Sequence, residues 1–366
     1  MGEIFSFRFV AITIVSLLGA IGFGFLLPEP VRTVNVGTTG TVSDIGLHIA
    51  IQKGYFREEG LKIELSAQTV PGRMLNGLRN GALDVGGAIA SPALYNAAAD
   101  GAFKIVADKG SLRPMQNHFS LLVRADHIKS GRYKSLSDLK GMRIAVPGIS
   151  NNNASARLNA ILNAGGLKWD DVTPFDSGFA QHLANYERGE IDVSLTTEPI
   201  AGYLVEKGLA VRINQADLIY RAQQAGALLY SGKFIKERKA DGEKFMRAYL
   251  RGVRDYQDSL EDGRLEGARA DFVIAALART TPAQNPSIFR NLAMPGSDTN
   301  GVVNTASLSN DLEFFKEKKW VTDQELTAAQ VVDGHFATAA IENIGQHGVG
   351  SVITQVRKQL RLLLSS

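Results

Sequence analysis

Six histidines, at positions 48, 118, 127, 182, 335 and 347, are the side chains best suited to holding a metal or moving a proton. None has a second histidine one helical turn away with a glutamate beside it, the spacing that sets two imidazoles and a general base on one helix face. No metal site, cofactor or catalytic residue is therefore expected. Cysteine is absent, which removes disulfides, thiolate nucleophiles, thiolate metal sites and a lipid-bearing cysteine together. What remains is hydrogen bonding by hydroxyl and amide groups: Thr38, Thr39, Thr41 and Ser43, then Ser91 and Asn117, then Asn151, Asn152 and Ser155, then Gln181 and Thr197. Such groups can hold a small polar solute without transforming it. They can equally cap helices, where one side-chain oxygen on a free N–H contributes about 1 kcal/mol. Arg73 suits an oxyanion or carboxylate, and Glu198 an amine or hydroxyl. Together they favour a small organic molecule of mixed polarity over a simple inorganic anion. Phe179 and Tyr203 are candidates for an apolar wall, or for core packing.

The elements that must position these residues come from a pattern that occurs twice, near 34–106 and near 143–213. Asn80-Gly81-Ala82-Leu83-Asp84-Val85 is matched by Arg188-Gly189-Glu190-Ile191-Asp192-Val193, a helix ending at glycine, then aspartate, then a β-branched strand start. Pro92 and Pro199 follow, as do Gly101 and Gly208, and Gly60-Leu61-Lys62 precedes the first aspartate as Gly166-Leu167-Lys168 precedes the second. Glycine past a helix end and proline in a first turn are structural punctuation, and the two aspartates are expected to brace the turn between helix and strand. Each copy reads strand, helix, strand, helix, strand, helix, strand: 34–36, 45–53, 62–66, 73–80, 85–88, 92–99 and 104–107, then 143–146, 154–163, 172–175, 181–188, 193–195, 199–207 and 210–213. Alternation at these lengths predicts an α/β fold of two lobes, each a mostly parallel sheet with helices on both faces and a cleft between the lobes. Ligands of such sheets sit beyond the carboxyl ends of the strands, where helix N-termini offer free N–H groups. That rule places the candidates at 38–44, 71–73, 90–92, 150–155, 178–181 and 196–199.

Beyond 213 the pattern changes. Residues 225–230 read as one more buried strand, and in 243–260 Phe245, Tyr249, Val253, Tyr256 and Leu260 recur on one helix face, a core stripe rather than a cofactor box. Further helices are expected over 310–319, capped by Ser309 or Asn310, and over 323–329. Segments 118–123 and 227–230 flank the second copy and are candidates to cross between lobes as a hinge. The expected organisation is 1–27 as export signal or anchor, 31–122 with 226–366 as the first lobe, and 123–225 as the inserted second lobe.

At 366 residues, 45% hydrophobic, the chain is long enough for two domains. With 40 Lys+Arg against 37 Asp+Glu and no dense basic run, nucleic acid is not an expected partner. Residues 9–27 are uncharged and apolar. They fit an export signal with small residues at Ala20-Ile21-Gly22 or Gly22-Phe23-Gly24, or an uncleaved span.

Taken with that run, Val34–Gly37, Gly54-Tyr55-Phe56-Arg57-Glu58-Glu59-Gly60-Leu61, Gly81-Ala82-Leu83-Asp84-Val85-Gly86, the stretch from Leu136-Ser137-Asp138-Leu139-Lys140-Gly141 to Val146, and Glu198-Pro199 resemble one family. It is the NMT1/THI5-like, sulfonate/nitrate/taurine type of substrate-binding protein of ABC transporters, and the resemblance spans roughly 31–331. It implies the type II periplasmic-binding fold and a periplasmic monomer. Such a protein closes on a small sulfonate, carboxylate or pyrimidine-like solute and delivers it to a permease with a cytoplasmic ATPase. The motifs are framework and do not name the solute. The same resemblance includes enzymes that make the thiamine pyrimidine, but these use iron and a Cys-rich segment, and this chain has no cysteine. A membrane-anchored sensor lobe is a third reading. It would keep the N-terminal run and signal through another protein.

Overall fold

The computed structural model describes residues 31–347 apart from 69–70, 114–115, 117, 215–218, 221, 281–285 and 291. The apolar run 9–27 and the candidate Asn117 lie outside the described residues. No helix among the described residues is long and apolar enough to cross a membrane.

The first copy of the repeat supplies β1 (Arg32–Thr38), β2 (Leu61–Ala67), β3 (Val85–Ile89) and β4 (Phe103–Ser111). Between the copies lies β5 (Phe119–Arg124). The second copy supplies β6 (Arg143–Val146), β7 (Thr173–Asp176), β8 (Val193–Thr197) and β9 (Ala210–Arg212), and β10 (Gln224–Ser231) follows. These form two five-stranded sheets, ordered β2-β1-β3-β10-β4 and β7-β6-β8-β5-β9. The β1–β3, β6–β7 and β6–β8 pairs are parallel. β10 runs antiparallel between β3 and β4, as β5 does between β8 and β9. In each sheet, therefore, the antiparallel insertion comes from outside the repeat, and the two copies keep the same strand order around it.

The expected crossings at 118–123 and 227–230 are instead strands inside the second and first sheets. Their apolar character reflects burial in a sheet interior: Leu121, Leu122, Val123 and Leu229 are at most 1% exposed. The divisions at 122/123 and 225/226 thus cut through β5 and β10, and the chain leaves one sheet for the other after β4 and again before β10. These two connections touch, with the Leu112 N–H donating to the Gln223 carbonyl at 2.9 Å.

The repeated aspartates explain how each parallel pair is registered. The Asn35 N–H donates to the Asp84 carboxylate at 2.9 Å across 49 residues, and the Arg143 N–H donates to the Asp192 carboxylate at 2.9 Å across 49 residues. The aspartate N–H groups answer by donating to the Asn35 and Arg143 carbonyls, both at 2.9 Å. The glycines before them, Gly81 and Gly189, stand at φ 74° and 68°, where a side chain would be strained. Asp192 also receives the Arg143 guanidinium at 3.0 Å on each oxygen and the His127 ring at 2.9 Å.

Helix Lys239–Gln257 backs the first sheet with the expected stripe, burying Phe245, Tyr249, Val253 and Tyr256. Each such side chain removed from water stabilises by about 1.5–3 kcal/mol. Its phenols reach through the core: Tyr249 donates to the Asp108 carbonyl at 3.0 Å and Tyr256 to the Pro295 carbonyl at 2.6 Å. The helix expected over 310–319 spans Thr305–Glu317, because Asn304 rather than Ser309 or Asn310 accepts the first-turn N–H, from Ser307 at 3.1 Å. Of the helix expected over 323–329 only Ala328–Val331 forms, started by a Thr327 cap.

Helix Thr305–Glu317 joins both copies of the repeat, packing on Pro92–Ala98 of the first and Ala154–Ala164 of the second. Leu308, Leu312, Phe314 and Phe315 share one core cluster with residues of both sheets. At its end Trp169 from the second copy meets Phe314 and Trp320, with ring centroids 5.4 and 6.0 Å away.

Burial pushes the Asp192 carboxyl up, but the Arg143 guanidinium and N–H and the His127 ring outweigh it and hold the group well below the usual carboxylate range. Asp192→Ala is expected to cost about 3 kcal/mol, read as a fall in the urea midpoint at pH 7. A depressed folded pKa stabilises above the unfolded value and loses that contribution as pH falls through it. The gap between wild type and variant should therefore narrow below about pH 4; a gap unchanged down to pH 3 would refute this account.

Candidate functional site

The strand ends of both sheets converge on a cavity of about 460 Å³. From the first sheet come the turn after β1 (Thr39–Ser43), Ala88 and Ile89 of β3, Lys109 and Gly110 of β4, and Ala225 and Gly226 of β10. From the second come Asn152 and Asn153 after β6, Phe179 after β7, Thr197, Glu198 and Pro199 at the end of β8, and His118 and Phe119 at the start of β5. A third wall, Ile288, Phe289 and Leu292 to Pro295, belongs to neither copy of the repeat.

Local sequence fixes each of these walls. Asp44 leads into helix Ile45–Gln52, and one carboxylate oxygen accepts from the Thr39 N–H at 3.0 Å, the Thr39 hydroxyl at 2.9 Å and the Thr41 N–H at 3.2 Å. This curls the turn after β1 around a buried charge. The other oxygen lies 2.8 Å from the Lys109 ammonium, which also donates to the Ser43 hydroxyl at 2.7 Å. Lys109 can lie across β3 only because residue 87 is glycine: a Cβ there would come within 2.2 Å of the lysine Cε. Asp108, next in line, is fully buried and receives the Gln224 amide at 2.7 Å, the Gly110 N–H at 2.7 Å and the Asp298 N–H at 2.6 Å. These contacts hold the end of β4 where its register against β10 shifts.

On the opposite wall Glu198 accepts from the Arg212 guanidinium at 2.6 Å and from the Gly202 N–H at 2.9 Å in helix Ile200–Glu206. The His118 carbonyl accepts from the Thr197 hydroxyl at 3.2 Å and the Glu198 N–H at 2.9 Å. Its ring lies 4.7 Å from Phe119, and Phe119 lies 5.7 Å from Phe179, so three rings form a continuous face. The His118 Nδ1 is buried with no partner among the described residues. Burial and the Arg157 charge push its pKa down to about 4, so the ring is neutral at pH 7. Burial raises the Asp44 carboxyl, but the Lys109 ammonium and the Thr39 and Thr41 donors outweigh it and keep the group ionised.

Of the residues expected at the site, Thr39, Thr41, Ser43, Asn152, Phe179, Thr197 and Glu198 line the cavity. Thr38, Ser91 and Ser155 are buried outside its lining. The Ser91 hydroxyl accepts from the Leu94 N–H at 3.4 Å as a helix cap, and Ser155 donates to the Ile149 carbonyl at 2.7 Å. Arg73, Asn151 and Gln181 are exposed and do not line the cavity. Tyr203, 44% exposed, is also outside the lining, with the Lys207 ammonium over its ring. Sequence reasoning missed Lys109, His118, Phe119 and Asn153. Lys109 had a signal, a charged residue at the carboxyl end of a strand. The third wall had none, because it stands outside the repeat. Among the described residues no group of three or more His, Asp or Glu is placed to hold a metal ion.

The architecture is that of known periplasmic binding proteins. The periplasmic aliphatic sulphonate binding protein SsuA of Escherichia coli superposes with a TM-score of 0.61 at 18% identity, over 84% of this chain and 92% of that one. The periplasmic nitrate-binding protein NrtA of Synechocystis PCC 6803 gives 0.60 at 15% identity, over 87% and 90%. The desulfurization enzyme DszB gives 0.53 at 14% identity, over 85% and 99%. No curated protein matches the chain in sequence. The family model described as NMT1/THI5 like matches residues 42–259. That match runs from the turn after β1 through both sheets to the end of the long helix, and on it the chain belongs to the NMT1/THI5-like family.

Proposed function

We propose that the protein captures a small organic molecule in the cavity between its two sheets and presents it, in the periplasm, to the permease of an ABC importer driven by a cytoplasmic ATPase. The carrying observation is that both sheets, joined by two touching connections, turn their strand ends to one cavity. The names of SsuA and NrtA, both periplasmic binding proteins, support a binding role. The connections that meet at Leu112 and Gln223 act as the hinge of two lobes built on the two sheets, and closure about them encloses the guest. Thr39, Thr41, Asn152, His118 and Thr197 supply hydrogen bonds to it, and Phe119 and Phe179 supply contact area.

Binding is favoured over catalysis by how the charged groups are used. Lys109 is held by Asp44 and Glu198 by Arg212, so both charged side chains at the cavity are already committed to a partner. A group tied in this way orients neighbours better than it exchanges protons with a guest.

Thermal melts of the purified chain against small organic acids, sulfonates, amines, pyrimidines and neutral ring compounds test the proposal. A matching compound at 100 times its Kd adds about 2.7 kcal/mol, because only the folded state binds it. The melting temperature then rises by several degrees. Gly226→Trp, at a cavity-lining position of β10 where an added Cβ meets nothing nearer than 3.8 Å, should abolish the rise while leaving the unliganded melt cooperative. In small-angle scattering the radius of gyration should fall on binding. Absence of any shift across the set, or an undiminished shift in Gly226→Trp, would refute the proposal.

A further inference from the structure

We infer that the guest is an uncharged, largely apolar organic molecule, not an oxyanion; this rests on the binding reading and narrows it. The cavity surface is dominated by carbon: Val42, Ile89, Phe119, Phe179, Leu292 and Met294 are among its lining side chains. Such a surface gains affinity from displaced water in proportion to the apolar area it covers.

The charges argue the same way. Among the described residues lining the cavity, Lys109 and Glu198 carry formal charge, one of each sign. The Lys109 side chain is 6% exposed, its ammonium 2.8 Å from Asp44, and the Glu198 side chain is 9% exposed, its carboxylate 2.6 Å from Arg212. An entering sulfonate or nitrate would have to draw Lys109 from its carboxylate, leaving that carboxylate buried and unpaired, a change that costs several kcal/mol. His118 offers no positive charge at neutral pH, since burial and Arg157 depress its pKa. Arg73, the cation that the sequence offered for an anion, does not line the cavity. The uncharged polar side chains among its lining are the hydroxyls of Thr39, Thr41, Ser43 and Thr197, the Asn152 and Asn153 amides and the neutral His118 ring. That set matches a single hydroxyl, carbonyl or N–H on an otherwise apolar frame.

Two dyes of one skeleton separate the possibilities: N-phenyl-1-naphthylamine is neutral, and 8-anilinonaphthalene-1-sulfonate carries a sulfonate on the same rings. In fluorescence titrations of the full chain at pH 7, the neutral dye should saturate one site and the sulfonate dye should bind weaker by about tenfold or more. Ile89→Glu places an uncompensated carboxylate at a cavity position already 43% exposed, and it should weaken the neutral dye by about tenfold. Asp44→Asn, which uncovers the Lys109 charge, should raise affinity for the sulfonate dye. It supplies a second reading if Ile89→Glu does not fold. Tighter binding of the sulfonate dye than of the neutral one, or displacement of the neutral dye by methanesulfonate or nitrate, would overturn the inference while leaving the binding reading intact. Neutral-dye binding unchanged in a folded Ile89→Glu would also overturn it. If neither dye saturates and no anion shifts the melt, the binding reading falls and the inference with it.

Discussion

A lysine ammonium and an aspartate carboxylate, 2.8 Å apart and almost entirely out of water, set the terms for the rest of the cavity. Neither charge could remain there alone, since an isolated buried charge costs several kcal/mol and would neutralise or draw in water. Their pairing forces several local choices. The turn after β1 must curl so that Thr39 and Thr41 donate to Asp44. Residue 87 must lack a side chain so that the lysine stem can cross β3. The end of β4 must be held, which Asp108, Gln224 and the phenol of Tyr249 achieve together. Once these conditions are met, the pair presents a nearly neutral patch in a wall otherwise made of carbon.

The wider frame obeys a second constraint, that a parallel strand pair needs its register fixed at one end. Asp84 and Asp192 fix it identically in the two sheets, each donating its N–H to a carbonyl of the partner strand and accepting that residue's N–H on its carboxylate. Because both anchors sit at the amino ends of β3 and β8, both sheets release their opposite edges for other use. Two copies of one unit, joined by connections that meet at Leu112 and Gln223, then bring those edges to a common space.

The sequence made this frame legible because its punctuation is local and occurs twice. Glycine, aspartate and proline at matched positions mark helix ends and strand starts through backbone geometry that does not depend on distant contacts, so the succession of elements in each copy followed from them. What was misread depended on tertiary partners. Segments 118–123 and 227–230 are apolar enough to look like crossings, and only the neighbouring strands show that they lie inside sheets. The Thr305–Glu317 helix starts earlier than expected because a cap needs only one correctly placed oxygen, and Asn304 supplies it. At the site, hydroxyl and amide positions were read at about half value. Thr39, Asn152 and Thr197 face the cavity, whereas Ser91 and Ser155 are occupied by backbone. Arg73 misled because a helix start near a strand edge says nothing about which way a long cation is solvated. The 288–295 wall could not be foreseen from a repeat to which it does not belong.

The junction at the end of helix Thr305–Glu317 contains both tryptophans of the chain, Trp169 from the second copy and Trp320 from the carboxyl-terminal region, edge to face at 6.0 Å. At that separation two indoles exchange excitation energy and couple their transition dipoles, so their emission and near-ultraviolet dichroism register changes in distance and tilt. The molecule thus contains an optical gauge of how its second repeat is set against the carboxyl-terminal region, legible without any attached label.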